Sequence, residues 1–205
     1  MRRSMRLLGT CFAAAAAAAS VSCGDVIRNG RSPVVLVVNS IQAAKGDKPS
    51  TFTSTLASDV LNILTTPAPC SESNPCPTVF NDPGQVTLSI VMKDVAVTPT
   101  TNNSVIINRY HVAYSRTDGR NTPGVDVPYS FDGGATATIP PGPAVTLGFD
   151  LVRHAAKEEP PLVQLINNTN IINVIATVTF YGTDLVGNDI QATAQISITF
   201  GNFSG

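Results

Sequence analysis

Two histidines, a handful of cysteines and a few crowded acidic residues are all that this chain offers to side-chain chemistry. A histidine base needs a nucleophile within reach, and neither His111 nor His154 stands in a G-x-S-x-G or H-E-x-x-H context. His111 falls on the polar face of a predicted strand, which makes it a surface residue before it is a catalyst. His154 precedes Lys157-Glu158-Glu159-Pro160-Pro161. Neighbouring carboxylates can do acid–base work, but two glutamates ahead of a proline pair read first as a solvated turn. Asp118, Asp126 and Asp132 crowd one loop, where carboxylates and carbonyls together could cradle calcium. Their spacing is not that of an EF-hand, and the Asp118-Gly119 and Pro123-Gly124 pairs are turn formers. Gly133-Gly134 lacks the Lys-Ser or Lys-Thr of a phosphate loop.

Arginine and tyrosine are favoured at interfaces, so Arg109, Arg116 and Arg120 with Tyr110, Tyr114 and Tyr129 form a candidate ligand face. Tyr110 and Tyr114 share the apolar phase of their strand, which points to core use instead. No residue is expected to be catalytic and no metal or cofactor is expected. The ligand-binding residues are left unassigned.

The N-terminus carries the most specific signal. Arg2, Arg3 and Arg6 lead into Leu7, Leu8 and the alanine run Ala13 to Ala19, and the segment ends Ser20-Val21-Ser22-Cys23. Charged, then apolar, then small is the order of an export signal. From Leu7 to Val21 there are about fifteen mostly weakly hydrophobic residues, against roughly 20 needed to cross a bilayer. The segment resembles the leaders of bacterial lipoproteins, which stop at an aliphatic residue, two small residues and a cysteine; here Ser20 stands where leucine is usual. The resemblance implies a signal peptide over 1–22, lipid attachment at Cys23 and a tether over 23–33. Gly24 in place of the aspartate that retains such proteins at the inner membrane implies an outer-membrane destination. The other reading is ordinary secretion with Cys23 left as a free thiol.

With Cys11 lost and Cys23 modified, Cys70 and Cys76 remain, inside a proline-rich stretch. An even remainder in an exported chain predicts a disulfide. A metal site is the weaker reading, because no second Cys or His pair lies near. Without the leader's three arginines, ten basic residues face 14 acidic ones. That mild acidity excludes a nucleic-acid footprint and a polybasic membrane patch.

The 183 residues from Cys23 onward suit one domain. Period-two alternation sets Val86, Leu88, Ile90 and Met92 on one face, and likewise Ile106 with Tyr110, Val112 and Tyr114. Val145 to Leu151, Ile172 to Phe180 and Ile190 to Phe200 follow the same rule, the last after a turn at 184–189. Val34 to Val38 is a β-branched run. Gly134 to Ile139 is expected to pair with the strand from Ala144 across Pro140-Pro141-Gly142-Pro143. Phe52, Leu56, Val60, Ile63 and Leu64 fit a helix face as well as a strand near Asp59 to Leu64; strand is preferred.

The expected fold is all-β, an antiparallel two-sheet sandwich of about seven or eight strands over 34–205. It resembles immunoglobulin and fibronectin type III domains in architecture only. Long loops are expected near 65–84, 117–133 and 154–170, where local function would reside. The expected function is a lipid-anchored, non-enzymatic envelope module that binds a protein or glycan partner. The alternative is a secreted hydrolase or metal-dependent enzyme built from loop carboxylates such as Asp126 and Glu158.

Overall fold

The computed structural model describes residues 30–203, so the expected signal peptide and Cys23 lie outside the described residues. Ten strands and one short helix follow in the order β1 (Val34–Ala43), β2 (Thr55–Asp59), β3 (Asn62–Leu64), β4 (Cys76–Thr78), β5 (Asp82–Met92), β6 (Val105–Ser115), β7 (Phe131–Ile139), β8 (Val145–Val152), α1 (His154–Lys157), β9 (Ile172–Asp184) and β10 (Asp189–Gly201). A three-stranded sheet, β1-β5-β8, lies against a five-stranded sheet, β2-β10-β9-β6-β7, and β3 and β4 form a separate hairpin. The two main sheets thus hold eight strands of an all-β sandwich. Pairing is antiparallel except between β2 and β10.

The alternating residues explain the two layers. In β9, Ile172, Val174, Ala176, Val178 and Phe180 are all buried, and their neighbours are not. A strand that is wet on one face and packed on the other requires this pattern. Tyr110 from β6 and Phe180 from β9 meet Phe149 of β8 across the layers. The Tyr110–Phe149 and Phe149–Phe180 ring centroids are each 5.3 Å apart in edge-on contact, within the favoured range for aromatic pairs. Both β6 tyrosines also reach the β8 backbone. Tyr114 Oη donates to the Leu151 carbonyl at 2.6 Å, and Tyr110 Oη accepts from the Asp150 amide at 3.1 Å. Burial pushes both phenols up, so both stay protonated. Gly133 is required beneath Tyr110, because a Cβ there would lie 2.2 Å from the ring.

Several expectations change. β7 and β8 do not pair: β7 lies on β6 and β8 on β5, so the proline-rich link crosses between sheets. Pro140, Pro141 and Pro143 lack the amide hydrogens that a hairpin ladder would use. Ile106 faces outward at 37% exposure, because the register slips between Ile107 and Arg109 and leaves Asn108 as an extra residue. Such a bulge reverses the facing of everything before it. The ambiguous 52–64 segment is strand, as preferred, but split into β2 and β3. The 65–84 loop is shortened by β4 and by β5 starting at Asp82, and the 154–170 loop contains α1 and a 3-10 turn at Leu162–Leu165.

The sandwich has two poles. At the near pole β1 begins and β5 ends, since Val34 pairs with Met92. β6 begins, β7 ends and the β9–β10 turn lies there too, since Val105 faces both Ile139 and Asp184. At the far pole are the segments 44–54, 60–81, 116–130 and 153–171 and the end of β10.

Of the segment 23–33 expected as a tether, residues 30–33 are described and are held by the domain. Ser32 is buried, Lys93 N donates to the Pro33 carbonyl at 2.9 Å, and Lys93 Nζ donates to the Gly30 carbonyl at 3.1 Å. Residues 30–33 therefore already belong to the near pole.

Candidate binding cleft at the far pole

Two of the three expected loops meet. The 116–126 turn system and the 161–172 segment enclose an open cleft of about 540 Å³, with Arg116, Arg120, Asp126, Gln164, Asn168 and Asn170 on its walls. The chain after β6 is folded back by local bonds. Asn121 Oδ1 accepts from the Arg116 amide at 2.6 Å, and Gly119 turns the chain at φ +82°. Gly124, at φ +74°, sits under the Tyr129 ring and donates its amide to the Val127 carbonyl at 2.8 Å. The opposite wall is held by Asn168, whose side-chain Nδ2 donates to the Gln164 carbonyl while its Oδ1 accepts from the Asn170 amide. Asn202 Nδ2 donates to the Ile166 carbonyl at 2.7 Å and ties this wall to the end of β10.

The electrostatics of the cleft centre on Asp118. Arg116 Nη2 lies 2.6 Å and Arg120 Nη2 3.0 Å from the same Asp118 oxygen. Hydrogen bonds from Arg116 foremost, with those from Arg120, hold the Asp118 carboxyl well below the usual carboxylate range. One carboxylate is thus shared by two guanidiniums. Asp126 is engaged separately, accepting from the Thr122 amide at 3.2 Å. A polar groove of amides, with two guanidiniums balanced by the Asp118 and Asp126 carboxylates, suits a hydroxylated ligand.

The three aspartates that share the 117–133 loop do not converge. Asp118 is taken by two arginines and Asp126 by a turn amide. Asp132 lies on β7 beside His111 Nδ1 at 3.2 Å and Arg109 at 3.6 Å. Among the described residues no three His, Cys, Asp or Glu side chains gather. His154 Nδ1 is 2.9 Å from Asn81 Oδ1, which also accepts the His154 amide. Glu158 and Glu159 are exposed, as expected. Asp184 caps its turn as expected, accepting from the Val186 and Asn188 amides. Burial pushes the Asp184 carboxyl up, but its hydrogen bonds, those from Asn188 foremost, outweigh this and leave it low.

Arg109 belongs elsewhere. Its guanidinium stacks 4.0 Å over the Tyr181 ring, beside a groove of about 300 Å³ at the β6 bulge that also includes Asn108, Asp189 and Gln191. Tyr110 and Tyr114 are core residues, and only Tyr129 of the three expected tyrosines is exposed. The Cys70–Cys76 disulfide is formed and closes the small loop ahead of β4.

One polar cluster escaped the sequence reading. Lys157, expected in a solvated turn, is fully buried. Its Nζ lies 2.9 Å from Asp82 Oδ2 and donates to the Asp59 carbonyl at 2.9 Å. Ser58 Oγ donates to the same Asp82 oxygen at 2.5 Å, and the Gly46 amide donates to the other oxygen at 2.9 Å. Burial pushes the Asp82 carboxyl up even with Lys157 beside it. Ser58, Asp82 and Lys157 are each at most 1% exposed, so the cluster ties β2, β5 and α1 together and offers no ligand access. The partners are too far apart in sequence for a local motif to betray them.

Compared with family models, with curated protein sequences and with solved structures, the chain gives no match in any of the three.

Proposed function

We propose that this chain is an exported, lipid-anchored protein of the bacterial cell envelope, held at the outer membrane through Cys23. Its sandwich, of the general kind that immunoglobulin and fibronectin type III domains use, acts as a non-enzymatic binding module. The observation that carries this reading is the polarity of the fold. The chain joins the domain at the near pole, beside β1, while the cleft of Arg116, Arg120 and Asn168 opens at the far pole. An anchor on Cys23 would leave that cleft pointing away from the membrane. The disulfide adds weak support for an oxidising compartment.

The cleft's largely exposed Arg120 guanidinium and surrounding amides suit an envelope glycan, and a carboxylated sugar offers that guanidinium a partner. The test uses the chain from Cys23 with Cys23→Ser, passed over immobilised uronate-containing and neutral oligosaccharides. Retention on the acidic glycans, lost in Arg116→Ala/Arg120→Ala while the circular dichroism spectrum is unchanged, is expected. Absence of retention, or retention indifferent to both substitutions, contradicts the ligand assignment.

A further inference from the structure

The tips of the near pole expose aliphatic side chains where a globular domain usually places polar ones. Val95 is 97% exposed and Val186 80% exposed, with Leu185 and Val97 each about half exposed. Behind Val95 an apolar groove of about 400 Å³ runs past Val34, Ile90, Met92, Val97 and Pro141. Charges are sparse on these tips. The 93–104 segment carries Lys93 and Asp94 alone, and neither Pro140-Pro141-Gly142-Pro143-Ala144 nor Leu185-Val186-Gly187-Asn188 carries any. Single exposed apolar residues are ordinary, but several on adjoining, sparsely charged tips at one end of a domain mark an interaction surface.

The chain itself indicates the occupant. Seven steps separate Cys23 from Gly30, which is already fixed to Lys93 at this same pole. Those steps span at most about 25 Å when fully extended. We propose that the near pole rests on the bilayer, with the Val95 and Val186 tips seated at the boundary between headgroups and acyl chains. The proposal rests on the lipid-anchor reading of Cys23. The tether joins the domain at this face and so brings it nearest to the lipid surface. Apolar contact then adds to the hold of the acyl chains and fixes the domain's orientation, with the far-pole cleft outward.

The chain contains no tryptophan, so one introduced tryptophan reports its own surroundings. Val95→Trp and Val186→Trp place it on the two near-pole tips, and Ser73→Trp places it in the far-pole disulfide loop. Each chain is joined to lipid at Cys23, either by the cell or, where its mass shows no acylation, by coupling the Cys23 thiol to a maleimide phospholipid. It is then reconstituted in phosphatidylcholine–phosphatidylglycerol vesicles with brominated acyl chains. The expected result is blue-shifted, bromine-quenched emission from Val95→Trp and Val186→Trp, with water-exposed emission from Ser73→Trp. Water-exposed emission from both tips while the protein floats with the vesicles overturns the proposal. So does a concentration-dependent blue shift in the lipid-free Cys23→Ser chain, which would assign the face to a second copy. The mass of Cys23 tests the anchor and the quenching tests the docking, so the two failures are distinguishable.

Discussion

Replacing Lys157 by methionine should be among the most damaging single substitutions in the domain, and the damage should depend on pH in a defined direction. The ammonium makes two contacts of 2.9 Å, to Asp82 and to the Asp59 carbonyl, at zero exposure. Removing it strands the Asp82 carboxylate in the core with only the Ser58 and Gly46 hydrogen bonds. Breaking a buried pair in this way costs about 3–5 kcal/mol, a large part of the roughly 5–15 kcal/mol that holds a domain folded. Burial already raises the Asp82 carboxyl, and the charge of Lys157 is the strongest influence opposing it. Its loss therefore raises that carboxyl further. An acid whose pKa is higher in the folded than in the unfolded chain binds its proton more tightly when folded. Its contribution is full below the unfolded value of 3.8 and is lost as pH rises through the folded value. Lys157→Met should thus be weakest near neutrality and recover on acidification by up to about 1.4 kcal/mol per pH unit within that window. Urea unfolding followed by circular dichroism at about pH 5 and about pH 8 reads both effects. A variant within about 1 kcal/mol of the parent, with the same pH slope as the parent, would refute the reasoning.

Three further outcomes follow from the same geometry. Gly133→Ala forces a methyl group into the Tyr110 ring and should cost about 1–3 kcal/mol, measured by the same unfolding transitions. Cys70→Ser/Cys76→Ser opens a small ring, so the loss should be at most roughly 2–3 kcal/mol; hydrogen exchange should show it confined to the 65–81 segment, with β9 and β10 unaffected. Arg116→Ala removes the main hydrogen bonds that hold the Asp118 carboxyl low, so its titration should move up toward the ordinary range in NMR-monitored pH series, with the core resonances unchanged.

The strands could be read wherever one face is dry and the other wet, because alternation is then the direct imprint of burial. β10 appears in the sequence almost residue for residue, while β5 and β9 each run about four residues beyond the stretch whose alternation marks them. The same rule failed at Ile106, where the Asn108 bulge shifts the phase, and a bulge leaves no mark in a pattern of apolar residues. It failed again for β7 and β8, whose separation into different sheets depends on which partner each finds. The Cys70–Cys76 pairing was legible from parity and spacing. Tyr110 and Tyr114 were legible as core from their phase. The cleft was half legible: the loops that form it and its arginines were visible, but the meeting of Arg116 with Gln164 and Asn168 depends on how β6 and β9 bring their ends together. Lys157 was not legible, because a lysine beside two glutamates looks solvated and its partners, Asp82 and the Asp59 carbonyl, come from distant strands.

The orientation of the whole molecule turns on one residue outside the described part of the chain. Cys23 decides whether the near pole faces a membrane and the Arg116–Asn168 cleft faces away from it. Intact mass and fragment spectra of the N-terminus of the protein, taken from cells expressing the chain from Met1, test this most directly. The account predicts a chain beginning at Cys23 and carrying acyl groups on that residue. A mature chain that begins elsewhere, or at an unmodified Cys23, would contradict it.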